Sequence, residues 1–413
     1  MRGSAAFRVA VAPGGALAGP WVQNSLWTAA RAVPSLDLRF ADNKSLVDAV
    51  TGASLVTFTR ASSGTFTDSA GLIKTATTNE PRFDHNPTTG ESLGLLVEEQ
   101  RTNLLVRSEE FDNAGWTKDN ASITTNTTTA PDGTITADTY SGTSTSGVRQ
   151  SVTLTSGTVY TISFYVKSAG LGNNGFRLII DGTQPSSNFT ATSDWQRFTF
   201  TATSANTGLR TCGIIRNSLN AAIDVFIWGA QLEVGAFPTS YIPTTTATVT
   251  RAADVASITG TNFSSWYRQD EGTFFWSGST YDTQYSNQNP FRVTEGTNLR
   301  GIGVGLDART TTDDAYFSTR NNTNISSVNS SSPYVTVTSN IRIAGAFGTD
   351  IAASFNGSTP LVSSPAYVFG TENQMEIMGN KAISGTGNQY NGRTRRLTFW
   401  PQALPSRLQA LTQ

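Results

Sequence analysis

The sequence predicts an all-β chain: tandem antiparallel β-sandwiches of the jelly-roll kind, preceded by a small β module and a docking segment. Three observations carry this expectation. Short runs of alternating apolar and polar residues recur from Ser35 onward, separated by Gly, Asn, Asp and Pro, and that period belongs to half-buried strands. Only 14% of the 413 residues are charged, against a usual figure of about 25%. The polar surface is instead Thr, Ser, Asn and Gly, where β-branched Thr suits a pleated sheet and Gly or Asn supplies positive φ at turns. Strand follows strand without an intervening helical period, which excludes βαβ units.

Residues 1–35 differ from the rest and predict a docking segment. SLWTAARAV has the spacing of two helical turns, with Leu26, Ala29 and Ala30 on one face. Trp21, Leu26 and Trp27 have too little company to form a core of their own, so the segment is expected to dock on a neighbour. The preceding MRGSAAFRVAVAPGGALAG mimics a signal peptide, but Pro13-Gly14-Gly15 cut its apolar run short, and it is read as part of the mature chain.

Residues 36–108 predict a small β module and connector. LDLRF alternates Leu36, Leu38 and Phe40 against Asp37 and Arg39, and LVTFTRA and GTFTDSAGLIKT follow, the latter turning at Asp68–Gly71. In the connector, Glu98, Glu99 and Arg101 read as a partly buried hydrogen-bond cluster. Adjacent Glu98 and Glu99 point to opposite faces of an extended chain and cannot easily share a substrate.

Residues 109–245 read as one jelly roll. YTISFYVKS, FRLIIDGT, DWQRFTFTATS, LRTCGIIRNS and AIDVFIWGAQLEV are its strands, and Asp181-Gly182 is a hairpin dipeptide. Trp116, Trp195 and Trp228 are expected to fill the core. Phe237-Pro238 to Ile242-Pro243 then holds the chain extended, because Pro fixes φ and biases its predecessor away from helix. This stretch reads as a domain seam, with Tyr241 a clamp between modules.

Residues 246–413 predict a second sandwich, built from GTFFWSGST, LRGIGVGLDA, YVTVTS, IRIAGAFG, IAASFNGST and TRRLTFWP. Ile302, Val304 and Leu306 alternate with Gly301, Gly303 and Gly305, so one face of that strand has no side chains. A bare face permits close approach by a backbone, a neighbouring subunit or a flat sugar ring. ALPSRLQALTQ closes the chain as a short helix with Leu408 and Leu411 inward.

Several functions are disfavoured. The net charge of −1 leaves no electrostatic footprint for nucleic acid or an anionic membrane, and no apolar run is long enough to span a bilayer. Cys212 is the sole cysteine and His85 the sole histidine. No intrachain disulfide or cysteine metal cluster can form, and any histidine-dependent triad must pass through His85, read here as a solvated or locally hydrogen-bonded turn residue. Asp307, Asp313 and Asp314 match no dedicated calcium loop and read as a solvated turn; no metal or cofactor is predicted. Glycoside hydrolysis needs two carboxylates about 5–9.5 Å apart, and neither Glu233 nor Glu376 has a partner visible in the sequence, so no enzyme activity is expected. Sugar binding needs an aromatic face with planar polar groups beside it. Trp276 and the following SGSTYDTQYSNQNPFRV offer that mixture in Trp276, Tyr281, Tyr285, Asn287, Asn289 and Arg292, on a segment long for a hairpin loop.

The run from Leu36 to Leu105, LDLRFADNKSLVDAVTGASLVTFTRASSGTF through GLLVEEQRTNLL, resembles a module of virion appendage proteins of tailed bacteriophages, the tail fibres and head spike fibres. WTKDNASITTNTTTAPDGTITADTYSG, DWQRFTFT and WGAQLEVGAFPTSYIPT resemble the carbohydrate-binding-module-like jelly roll of the same proteins. GTFFWSGST to NGRTRRLTFWPQALPSRLQALT is similar to a laminin-G or concanavalin-A-like sandwich. These resemblances span nearly the whole chain after residue 35. They imply a virion structural protein forming a fibre or spike, homotrimeric, attached to other virion proteins and adhering to host surface polysaccharide. The alternatives are a capsid-decorating or head-fibre protein with a purely structural role and, less favoured, a glycan-cleaving depolymerase.

Overall fold

A computed structural model describes residues 25–170, 174–217, 222–281, 288–296, 300–307, 314–321, 324–330, 340–365, 370–378 and 390–413. The first stretch carries helix α1 (Ser25–Ala30), strand β1 (Leu36–Leu38), helix α2 (Phe40–Asn43) and strands β2 (Thr57–Thr59), β3 (Gly64–Thr67), β4 (Ile73–Ala76), β5 (Arg82–His85), β6 (Ser92–Val97) and β7 (Arg101–Asn103). A second set follows: β8 (Thr117–Thr128), β9 (Ala137–Leu154), β10 (Val159–Ser168), β11 (Gly175–Ile180), β12 (Gln184–Pro185), β13 (Phe189–Thr190), β14 (Gln196–Thr203), β15 (Gly208–Arg216) and β16 (Ile223–Val234). The third comprises β17 (Val249–Arg251), β18 (Val255–Thr259), helix α3 (Gly260–Ser264), β19 (Gly272–Thr280), β20 (Gln288–Thr294), β21 (Arg300–Asp307), β22 (Asp314–Asn321) and β23 (Asn324–Asn329). It ends with β24 (Ile341–Phe347), β25 (Ile351–Phe355), β26 (Leu361–Ser363), β27 (Gln374–Ile377), β28 (Gly392–Trp400) and helix α4 (Leu408–Thr412). The chain is all-β, as its alternating runs predict.

The second set is the jelly roll. Its strands run β12-β11-β15-β9-β16-β10-β14, with β13 on β11 and β8 on β9. β9 explains the closure: Asp138–Gly142 pairs with β16, whereas Gly147–Leu154 pairs with β15. One long strand thus serves both walls. Phe111, Trp116, Phe164, Phe176, Ile214 and Ile227 lie in the core between them. Of the tryptophans expected inside, Trp116 and Trp228 are buried, while Trp195 sits partly exposed at the edge and donates Nε1–H to the Thr129 carbonyl at 2.9 Å.

The sandwich does not begin where local patterning placed it. One sheet runs β26-β25-β24-β19-β28-β6-β5, with β1 also on β28; its partner runs β2-β18-β27-β20-β21-β22-β23. Strands β1, β2, β5 and β6 therefore belong to the same two sheets as residues 255–400, while β3 and β4 pair with each other, so residues 36–97 do not build a sandwich apart from the second one. The jelly roll is inserted between β7 and β17, which pair antiparallel with Asn103 opposite Val249. Alternation within LDL identifies a strand but cannot reveal that its partner is LTF, with Leu36 opposite Phe399 and Leu38 opposite Leu397. Between the sheets, Leu36, Phe58, Leu95, Trp276, Phe291, Ile302, Phe317 and Phe399 share one apolar core, including a Phe274–Phe399 ring pair at 4.6 Å.

The helical spacing around Leu26 is also realised, but its partner is internal. Leu26 and Ala30 pack with Phe275, Trp400, Leu408 and Leu411 on the outer side of the eight-stranded sheet. Trp27 donates Nε1–H to Asp37 at 3.0 Å and stacks under Arg39. Leu26 is thereby buried within its own chain, which removes it as a virion-facing side chain; Trp21 lies outside the described residues.

At the seam, Arg60, Arg82 and Arg251 are buried together with Asp254 and Glu98. Arg60 donates to Asp254 at 3.0 Å, and Arg82 bridges Asp254 and Glu98, the latter at 2.8 Å. The backbone N–H of Glu98 donates to Asp254, and both the N–H and the hydroxyl of Ser240 donate to Glu98 at 2.7 Å. Tyr241 behaves as a clamp: its carbonyl accepts from Thr65 at 2.5 Å and its hydroxyl reaches Glu109 at 2.8 Å. Its ring lies 4.7 Å from that of Trp228.

Two outcomes follow from this topology. A fragment of residues 246–413 lacks β1, β2, β5 and β6 and is expected to show no cooperative melt by circular dichroism, whereas residues 25–413 melt cooperatively. Burial pushes the Glu98 carboxyl up, but Arg251, Arg82 and the Ser240 bonds outweigh it and hold its pKa at about 2. A carboxylate lowered on folding stabilises above its ordinary value near 4.5 and loses that contribution as pH falls toward the folded value. Glu98→Gln is expected to cost about 3–5 kcal/mol at pH 7 by stranding buried guanidinium charge, with the urea-melt difference from wild type shrinking between pH 4.5 and 2.

Candidate functional site

The outer face of the seven-stranded sheet is where the bare glycine strand lies. Ile302, Val304 and Leu306 are buried in the core, so Gly301, Gly303 and Gly305 face outward by the period of two. Register then assembles their neighbours. Gly305 lies opposite Tyr316, Gly303 opposite both Ser318 and Arg292, and Gly301 opposite Arg320. One strand further on, Arg292 lies opposite Glu376.

The glycines are covered by flat side chains. A Cβ on Gly305 would stand 1.9 Å from the Tyr316 ring, and one on Gly301 would stand 3.1 Å from the Arg292 Nε. The Tyr316 ring and the Arg292 stem thus lie along the sheet, and both residues stay half-buried. Burial lowers the Arg292 pKa, as does Arg320 nearby, while Glu376, Glu295 and Tyr316 oppose that shift. Arg320, Glu376, Glu295 and Tyr316 thus all lie near enough to act on the Arg292 charge. An aromatic face bordered by planar donors and acceptors suits the apolar side of a pyranose and its hydroxyls.

The residues predicted from the 276–292 segment do not form one site. Trp276 is fully buried in the core and donates Nε1–H to Thr394 at 3.1 Å, which corrects its reading as a sugar-stacking ring; its outward-looking neighbours in sequence belong to the other face of β19. Tyr281 is half-buried with the Arg393 guanidinium 4.5 Å from its ring centre. Burial raises the Tyr281 hydroxyl above its ordinary pKa. Tyr285 and Asn287 lie outside the described residues. Asn289 is half-buried in β20 at a register shift. Arg292 alone among the six joins the glycine-backed face.

Tyr316 was missed because DAYFSTRN by itself reads as an ordinary strand. Its signal lay in a pairing: an aromatic residue and a glycine of neighbouring strands on one face. His85, expected in a turn, is instead buried in β5 with Nδ1 3.0 Å from the Thr67 carbonyl. Asp307 and Asp314 stand opposite each other across β21 and β22, and Asp313 lies outside the described residues. Among the described residues, no group of three or more His, Cys, Asp or Glu is placed to hold a metal ion.

No family model and no curated protein matches this sequence. Solved structures similar to it include the CBM40 of the Ruminococcus gnavus IT-sialidase bound to α2,3-sialyllactose, at 15% identity over 35% of this chain and 84% of that one, with a TM-score of 0.30. Domain 4 of AbnA, a GH43 extracellular arabinanase from Geobacillus stearothermophilus in complex with arabinotriose, matches at 11% identity over 43% and 82%, TM-score 0.30. The tandem CBM22-1–CBM22-2 domain of Paenibacillus barcinonensis Xyn10C matches at 11% identity over 74% and 99%, TM-score 0.27.

The stacking of Tyr316 on Gly305 makes a double-mutant prediction. Gly305→Ala is expected to destabilise by about 1–3 kcal/mol through overpacking against the ring. In a Tyr316→Ala background the same change should cost far less, because the added methyl then meets open space. Denaturant melts of the four proteins measure the coupling.

Proposed function

We propose that the chain is a non-enzymatic appendage subunit of a tailed-phage virion, adhering to host surface polysaccharide through the outer face of its seven-stranded sheet. The observation that carries the adhesion half is the Tyr316 ring laid flat over Gly305, with Arg292, Ser318 and Glu376 in register beside it. The virion half rests on the resemblance of residues 36–105 to the appendage module. A non-enzymatic role is supported by where the acids go. Glu98 and Asp254 are locked to arginines in the seam, and Glu233 is buried as an acceptor for Thr239 and Gln231. A single shallow platform binds weakly, and a homotrimer repeated on a particle raises avidity by ~10²–10⁴ without new contacts.

Titration calorimetry and glycan arrays with the purified protein test this reading. Saturable binding to host polysaccharide is expected, weakened more than about tenfold by Tyr316→Ala. Wild-type protein that binds no host glycan sinks the adhesion reading. Release of reducing ends from the polysaccharide overturns the non-enzymatic one, and absence of the protein from purified particles overturns the virion assignment.

A further inference from the structure

The jelly roll has a second outward face that the sandwich platform does not explain. On it, Arg177 of β11 lies opposite Ile215 of β15, and Ile215 lies opposite Gly147 of β9. Strands stand ~4.8 Å apart, so this row brings three adjacent positions into one short band. Gly147 leaves room that Arg149 fills. A Cβ there would stand 3.4 Å from the Arg149 Nε and 3.0 Å from the Ile215 side chain. Two guanidinium groups therefore flank one half-buried isoleucine.

Their partners are unequal. Arg149 pairs with Asp119, which lies opposite Gly147 at the end of the same row. Among the described residues, the buried Nε of Arg177 and that of Arg149 meet no acceptor. A buried guanidinium N–H without an acceptor is unfavourable unless something supplies one. The row carries two cations against one carboxylate, with an apolar patch between the cations.

We propose that this band is a binding site for an acidic polysaccharide, a sugar bearing a carboxylate or sulfate group. The oxyanion would accept from Arg177 and Arg149 in the planar fashion that guanidinium groups favour, and the apolar face of the ring would rest on Ile215. The site is on different strands from the Tyr316 platform and does not depend on it.

Binding of the full chain to polygalacturonate, dextran sulfate and neutral dextran tests the site, measured at several salt concentrations. Saturable binding to one or both polyanions, with none to dextran, is expected; which polyanion binds distinguishes carboxylate from sulfate. Arg177→Glu should weaken that binding at least tenfold and flatten its salt dependence, and Arg177→Gln should weaken it if the reversal disturbs the melting curve. Arg268→Ala, on the other sandwich, should leave it unchanged. Equal binding by wild type and both Arg177 variants overturns the proposal, as does equal weakening by Arg268→Ala or equal affinity for neutral dextran.

Discussion

Everything in this molecule is arranged around the buried ion cluster of Arg60, Arg82, Arg251, Glu98 and Asp254. Its members come from β5, from the segments after β2 and β6, and from the chain on both sides of the inserted jelly roll. A buried ion cluster is a poor source of net stability, because desolvation offsets most of the Coulombic attraction. Its geometry is demanding, however. Arg82 must meet Asp254 and Glu98 at once, and Glu98 must still accept two bonds from Ser240 of the jelly-roll exit. A chain whose sandwich is split across more than 300 residues needs such a registering device, since apolar contacts alone tolerate sliding.

The two outward faces share one construction. Glycines remove the Cβ layer, and a long or flat side chain, from the next strand in the sandwich and from the same strand in the jelly roll, lies in the vacated space. Tyr316 lies over Gly305 in the sandwich, and Arg149 lies over Gly147 in the jelly roll. Laying a side chain along a sheet buries one of its faces and presents the other, so the exposed group loses less freedom when a ligand settles on it. The difference is charge: Glu376 and Glu295 act on Arg292 beside the Tyr316 face, whereas on the Ile215 row Asp119 pairs with Arg149.

Strand identity was legible in the sequence because period two is local. YTISFYVKS, GTFFWSGST and TRRLTFWP all became strands, and the Pro-rich run from Phe237 to Pro243 became the seam its punctuation implied. Strand partnership was not legible. LDLRF gives no sign that it will lie beside TRRLTFW, and the sequence repeats Thr-Arg-Ala at residues 59–61 and 250–252, an echo that by itself names no contact. Arg60 and Arg251 turn out to occupy the same buried cluster, so the echo marks two chain segments meeting at one point. The site was half legible for the same reason. Bare glycines at 301, 303 and 305 were visible, but Tyr316 acquires its role only through register with Gly305. Trp276 misled because a tryptophan beside polar residues looks like a ligand platform, while strand alternation sends it to the core.

The insertion also constrains how the two faces work together. The jelly roll enters and leaves through β7 and β17, paired side by side, and its exit is held by Tyr241, whose carbonyl accepts from Thr65 of β3 while its ring and hydroxyl are held by Trp228 and Glu109 of the jelly roll. A tether joined at one point would let the domains sample many separations. Two paired strands backed by buried charge remove that freedom, so a polymer reaching both faces meets them at one fixed spacing. Effective concentration between two sites is greatest when the span of the ligand matches that spacing and falls when it does not. Were both faces to bind sugar as proposed, the paired junction would select for chain length and stiffness of the polysaccharide as well as for its sugars.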